Sequence, residues 1–69
     1  MYKAWIKAVG EKSYATNGLE FNTVQDAKNY ANDLLSRWYG ADKFAILPVS
    51  DKFVGFLSQD IIDREGLNE

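Results

Sequence analysis

The chain has 69 residues, 46% of them hydrophobic and 14% aromatic, with one proline, so it is too apolar for disorder and long enough for a single domain with one core. It has no cysteine, which excludes a disulfide framework and a thiolate metal site, and it has no histidine. Eight basic and ten acidic side chains give a formal charge of −2, which offers no general attraction for nucleic acid or an anionic membrane.

Residues 2–9, YKAWIKAV, alternate. Tyr2, Ala4, Ile6 and Ala8 take one side of a predicted first strand, while Lys3, Trp5, Lys7 and Val9 take the other. Gly10, Glu11 and Lys12 suit a hairpin break, and residues 13–17 resume an extended pattern as the second strand. Asn17 and Gly18 could form a second hairpin turn, but its arms would be very short. A bend that leads Phe21 onto the first turn of a helix is the preferred reading.

That helix is the strongest signal in the chain. Thr23 is a good N-cap, since its hydroxyl can accept from the backbone N–H of Asp26, whose carboxylate suits the first turn. Val24, Ala27, Ala31, Leu34 and Trp38 recur on one face, widened by Tyr30 and Leu35. Gln25, Lys28, Asn29, Asn32, Ser36 and Arg37 fall opposite. The pattern predicts a helix over 24–39, closed by Gly40 in the left-handed conformation and favoured by Arg37 at the negative end of its dipole.

Residues 43–49, KFAILPV, predict a third strand, with Pro48 confined to a strand end, a bulge or an edge. Ser50 and Asp51 form a turn, and residues 52–57, KFVGFL, read as a fourth strand weakened by Gly55. Ser58 is placed to cap a last helix over 59–65 that stops at Gly66. The fold class is therefore α+β: a small antiparallel sheet (ββαββ with a short C-terminal helix) and one long helix packed on one face. The simplest spatial order is second, first, third, fourth strand.

Two constellations stand out as interaction sites. Lys3, Trp5 and Lys7 place an aromatic between two ammonium groups on one strand face, which could hold a base or an acidic partner. The competing reading has Trp5 beneath the C-terminal segment. It is favoured because Ile61, Ile62 and Leu67 need somewhere to dock, and it would bring Lys3 and Lys7 near Asp60 and Asp63. At the end of the long helix, Trp38 is expected to close the rim of the core, whereas Tyr39 beside Arg37 lies off that face and is the better exposed anchor.

Charge is divided along the chain. Lys3, Lys7 and Lys12 lie near the start, and Asp60, Asp63, Glu65 and Glu69 lie near the end with Arg64. The spacing in DIIDRE puts apolar residues where a calcium loop needs ligands, so a solvated acidic face is expected rather than a metal site. No nucleophile-elbow serine and no phosphate-cradling glycine loop is present, and no cofactor is implied. An enzyme is not expected. No apolar run approaches the roughly 20 residues needed to span a bilayer, and the N-terminus lacks the layout of a signal peptide, so a cytoplasmic location is expected.

The run from Ser13 through Asp51 resembles a pattern found in short proteins of tailed phages. In it a strand leads through Asn-Gly and a Phe-x-Thr cap into an alanine-rich helix that ends near Arg-Trp, followed by a strand. Here these features are Asn17, Gly18, Phe21, Thr23, Ala27, Tyr30, Ala31, Leu34, Arg37 and Trp38. A fainter, architectural likeness links the chain to the small RNA-polymerase inhibitors of T7-like phages, which place a Trp-containing strand and hairpin before one helix and a final strand. Those inhibitors act through an acidic surface on the helix and hairpin, whereas here the acidic cluster is C-terminal. The resemblance brings no established activity, and the expected function is a small non-enzymatic protein-binding module, a phage-encoded protein that docks on a host protein and modulates or inhibits it. The alternatives are a homodimer through the open sheet face and, least favoured, a nucleic-acid binder using Lys3, Trp5 and Lys7.

Overall fold

The computed structural model describes residues 1–67, and within them the α+β class is as expected. The elements in chain order are β1 (Tyr2–Ala8), β2 (Ser13–Tyr14), α1 (Val24–Arg37), β3 (Ala41–Pro48), β4 (Leu57–Ser58) and α2 (Gln59–Glu65). The centre is the antiparallel pair β1–β3, with Trp5 opposite Ala45 and Lys7 opposite Lys43. Pro48 ends β3 opposite Tyr2, a place its missing N–H allows.

The hairpin after β1 turns at Gly10, whose φ of +86° is the left-handed conformation glycine adopts without strain. β2 is shorter than expected, but Ala15 and Ile6 exchange backbone hydrogen bonds at 2.8 and 2.9 Å and continue the pairing beyond Tyr14. Asn17 and Gly18 form the expected bend. Leu19 donates its N–H to Asn17 Oδ1 at 3.0 Å, and Phe21 then bridges Tyr2 and packs on Tyr30 with ring centres 5.2 Å apart.

α1 begins where its cap predicts, with the Asp26 N–H donating to Thr23 Oγ1 at 3.1 Å. Its end differs from the sequence reading. The last helical residue is Arg37, and Trp38 is already extended, with its N–H donating to Leu34 O at 2.9 Å. Gly40 is not in the left-handed region. The indole of Trp38 lies against it, and a Cβ there would fall 2.7 Å from Trp38 Nε1, so a side chain at this position would displace the indole.

The fourth strand is the main correction. Residues 50–56 form an irregular loop, and only Leu57 and Ser58 pair, with β2 rather than β3. Alternation alone would allow a strand here, since buried Phe53 and Leu57 stand on one face and exposed Val54 and Phe56 on the other, but β3 is bridged at Ile46 by Leu67 instead. Gly55, at φ +67°, turns the chain between Val54 and Phe56. With the Ala15–Ile6 bridge counted, the spatial order is β4, β2, β1, β3. Leu67 bridges Ile46 on the far edge of β3.

Both faces of the sheet are covered. On one, Ala4 and Ile46 meet Ala27 and Ala31 of α1, flanked by Tyr2, Ile6, Phe21 and Val24. On the other, Trp5, Tyr14 and Leu47 lie beneath Phe53, Leu57 and Ile62, so α2 docks as expected through Ile62 with Ile61 alongside. Leu67 does not join it, packing instead on the α1 side. Ser58 occupies the N-cap position of α2, but its side chain makes no capping bond. Gly66 ends the helix as expected, and a Cβ there would meet Ile62 O at 2.6 Å.

Candidate interaction surface

Alternation along β1 sends Lys3, Trp5 and Lys7 to the face covered by α2, which separates their fates. Trp5 is 1% exposed and cannot stack on a base or meet a partner, so the aromatic centre of the first candidate site is part of the core. A homodimer through that face would first have to displace α2 and the loop over residues 50–56. Lys3 is partly buried opposite Leu47.

Lys7 does not reach Asp60 or Asp63. Its Nζ lies 2.6 Å from Asp42 Oδ2 and also approaches Glu11 O at 3.5 Å. The ammonium's hydrogen bond holds the Asp42 carboxyl below the usual carboxylate range. Asp60 is exposed in the first turn of α2. Asp63 is exposed too and accepts from Gln59 Nε2 at 2.8 Å, while Gln59 Oε1 accepts from the Tyr14 hydroxyl at 2.9 Å. Burial pushes the Tyr14 phenol above its ordinary value. Tyr14, Gln59 and Asp63 line an open cleft of about 440 Å³ with Asp42 and Lys43. Among the described residues no buried side-chain polar atom lacks a partner. Glu69, counted with the acidic end, lies outside the described residues.

The second candidate fares differently. Tyr39 is fully exposed, the most exposed of the large hydrophobic side chains among the described residues, and Trp38 beside it is 44% exposed. This exposure follows from the early end of α1, because two residues past Arg37 the chain has left the helical face. The Val9 N–H donates to Gly40 O at 2.7 Å, which ties the β1 end of the hairpin to the same turn and brings exposed Val9 to it. Arg37 adjoins them, paired to Asp33 at 2.8 Å in an exposed bridge that contributes little to stability.

Two features were not anticipated. Val54 and Phe56 are both exposed on either side of Gly55, in the loop where a fourth strand was expected. A groove of about 250 Å³ also opens between β1, the segment after β2 and α1, lined by Ala4, Ile6, Ala15, Tyr30, Leu34 and Trp38 among others. Its residues come from three separate stretches, and no local pattern joins them. Compared with protein-family models, with curated proteins and with solved structures, the chain matches none of them. The surface itself therefore carries the functional argument.

Proposed function

We propose that this protein is a small non-enzymatic protein-binding module, of the kind a phage encodes to modulate or inhibit a host protein in the host cytoplasm. The observation that carries the reading is the apolar end formed by Tyr39, Trp38 and Val9 on a molecule whose two sheet faces are already covered. Trp, Tyr and Arg dominate the energetics of protein interfaces, and here Trp38, Tyr39 and Arg37 are consecutive. A small protein gains nothing for its own fold by leaving a tyrosine wholly in water beside a half-exposed tryptophan.

Capture from a bacterial lysate tests this. Immobilised wild-type protein retains a specific host protein, and Tyr39→Ala lowers that retention at least about tenfold, as expected for a central anchor. The same substitution leaves Tm unchanged, because Tyr39 is fully exposed. Equal retention by both forms would show that binding does not use this end.

A further inference from the structure

The bend after β2 holds a dipeptide with a chemistry of its own. Asn17 and Gly18 are both exposed, and Gly18 has no side chain to shield its backbone nitrogen from the Asn17 amide. In such a pair the deprotonated glycine nitrogen attacks Asn Cγ, the bond from Cγ to Nδ2 breaks, and ammonia leaves with a proton from water. Water then opens the five-membered imide at either of its carbonyls. The product is aspartate or isoaspartate, with one water consumed, one ammonia released and no change of oxidation state.

In the fold each of the three polar atoms this reaction uses is engaged. The Gly18 N–H donates to Thr16 Oγ1 at 3.3 Å, and Asn17 Oδ1 accepts from the Leu19 N–H at 3.0 Å. Only an oxygen can accept from that N–H, so the amide nitrogen is the end that faces the Tyr30 hydroxyl and donates to it. The Leu19 bond alone does not protect, because a donor on Oδ1 also steadies the negative charge that attack places there. The bond to Tyr30 has no such double effect.

The surroundings hold this arrangement in place. Tyr30 stands on α1 with its ring packed on Phe21. The segment from 16 to 20 is clamped at both ends, by the paired backbone bonds of Ala15 with Ile6 at 2.8 and 2.9 Å and of Phe21 with Tyr2 at 2.8 Å. Turning a face of the Asn17 amide towards Gly18 N therefore requires a local opening of the bend.

We propose that Asn17 is the deamidation site of this protein and that the Tyr30 hydroxyl, by holding the amide nitrogen, keeps it an asparagine in the folded state. Conversion removes the donor to Tyr30 and adds a negative charge to a chain already at −2. As isoaspartate it also lengthens the main chain by one methylene between the two clamps.

Incubation at mildly alkaline pH, folded and in denaturant, followed by mass spectrometry of the peptides, tests this. In denaturant Asn17 converts ahead of the four other asparagines, none of which precedes a glycine. In the folded wild type its conversion is slower by at least about tenfold. Tyr30→Phe keeps the ring, loses the hydroxyl and speeds the folded rate about two- to tenfold, with the rate in denaturant unchanged. Should Tyr30→Phe lower Tm, Thr23→Ala supplies the comparison, since it destabilises α1 through its cap without touching Asn17 and leaves the folded rate at the wild-type value. Another asparagine converting first in denaturant would overturn the proposal. So would a folded wild type as fast as the denatured chain, a Tyr30→Phe rate equal to wild type, or Thr23→Ala speeding conversion as much as Tyr30→Phe.

Discussion

On the α1 face the sheet is approached closely, because the helix contacts it through Ala27 and Ala31, both without any exposure, over Ala4 and Ile46. On the α2 face large side chains rise from the sheet instead. Trp5, Tyr14 and Leu47 fill the space beneath a loop and a helix of only seven residues. A long regular helix can lie flat on a sheet when its contact residues are small, and its periodicity lines them up. An irregular cover leaves uneven gaps, and bulky residues from the sheet must reach into them. The same distinction explains why one face was easy to anticipate and the other was not.

Substitutions can break that comparison. The largest effect is expected at Trp5→Ala, which empties the α2-side core and should cost about 3–5 kcal/mol. A domain of 69 residues has a total of roughly 3–10 kcal/mol. Denaturant unfolding should therefore show a protein unfolded or nearly so, and a loss below 1 kcal/mol would mean that the cover over Trp5 is not packed.

The α1 face should respond to the opposite change. Ala31→Leu adds volume where the helix touches the sheet and should cost about 1–3 kcal/mol through forced displacement. Stabilisation by this variant would show that the helix stands off the sheet with room to spare. Leu34, which the helical pattern puts on the buried face, is only partly buried beside the groove. Its truncation should cost less than Trp5→Ala.

Helix starts provide a finer contrast between the two sides. Thr23→Ala removes a capping bond that α1 makes and should cost about 1 kcal/mol, whereas Ser58→Ala removes none from α2 and should leave Tm unchanged. Equal losses would mean that Ser58 caps its helix in solution.

The smallest effect is electrostatic. The Asp42 carboxyl is held below its ordinary range by Lys7, so the pair's contribution is present above the ordinary carboxylate pKa and is lost as pH falls through the depressed value. Asp42→Asn should make stability fall less steeply on acidification and leave the alkaline side alone. Tyr14 gives the opposite dependence. Its phenol is raised by burial, so its contribution holds below the ordinary phenol range and is lost as pH rises through the raised value. An acid limb identical in Asp42→Asn and wild type would show that the ion pair is not formed.

Local signals determined the elements whose residues lie next to one another in the chain. The alternation of β1, the Thr23 cap, the apolar stripe of α1 as far as Leu34, the bend at Asn17 and the docking helix α2 are all legible because each depends on spacing within a few residues. Even the burial of Trp5 could be inferred, since Ile61 and Ile62 needed an apolar surface. The exposure of Tyr39 was expected from its place off the helical face, but it arises because α1 ends at Arg37, before Tyr39 is reached. What only the tertiary structure decided are matters of partner choice: β4 joined to β2, Leu67 turned to the α1 side, Lys7 bound to Asp42 across the sheet, and the groove assembled from three segments. Trp38 shows the boundary within a single residue. Its spacing continued the stripe, but the indole found its place over Gly40 after the helix had ended. Contacts between distant residues depend on how loops close and cores fill, and these are properties of the whole chain that no short window contains.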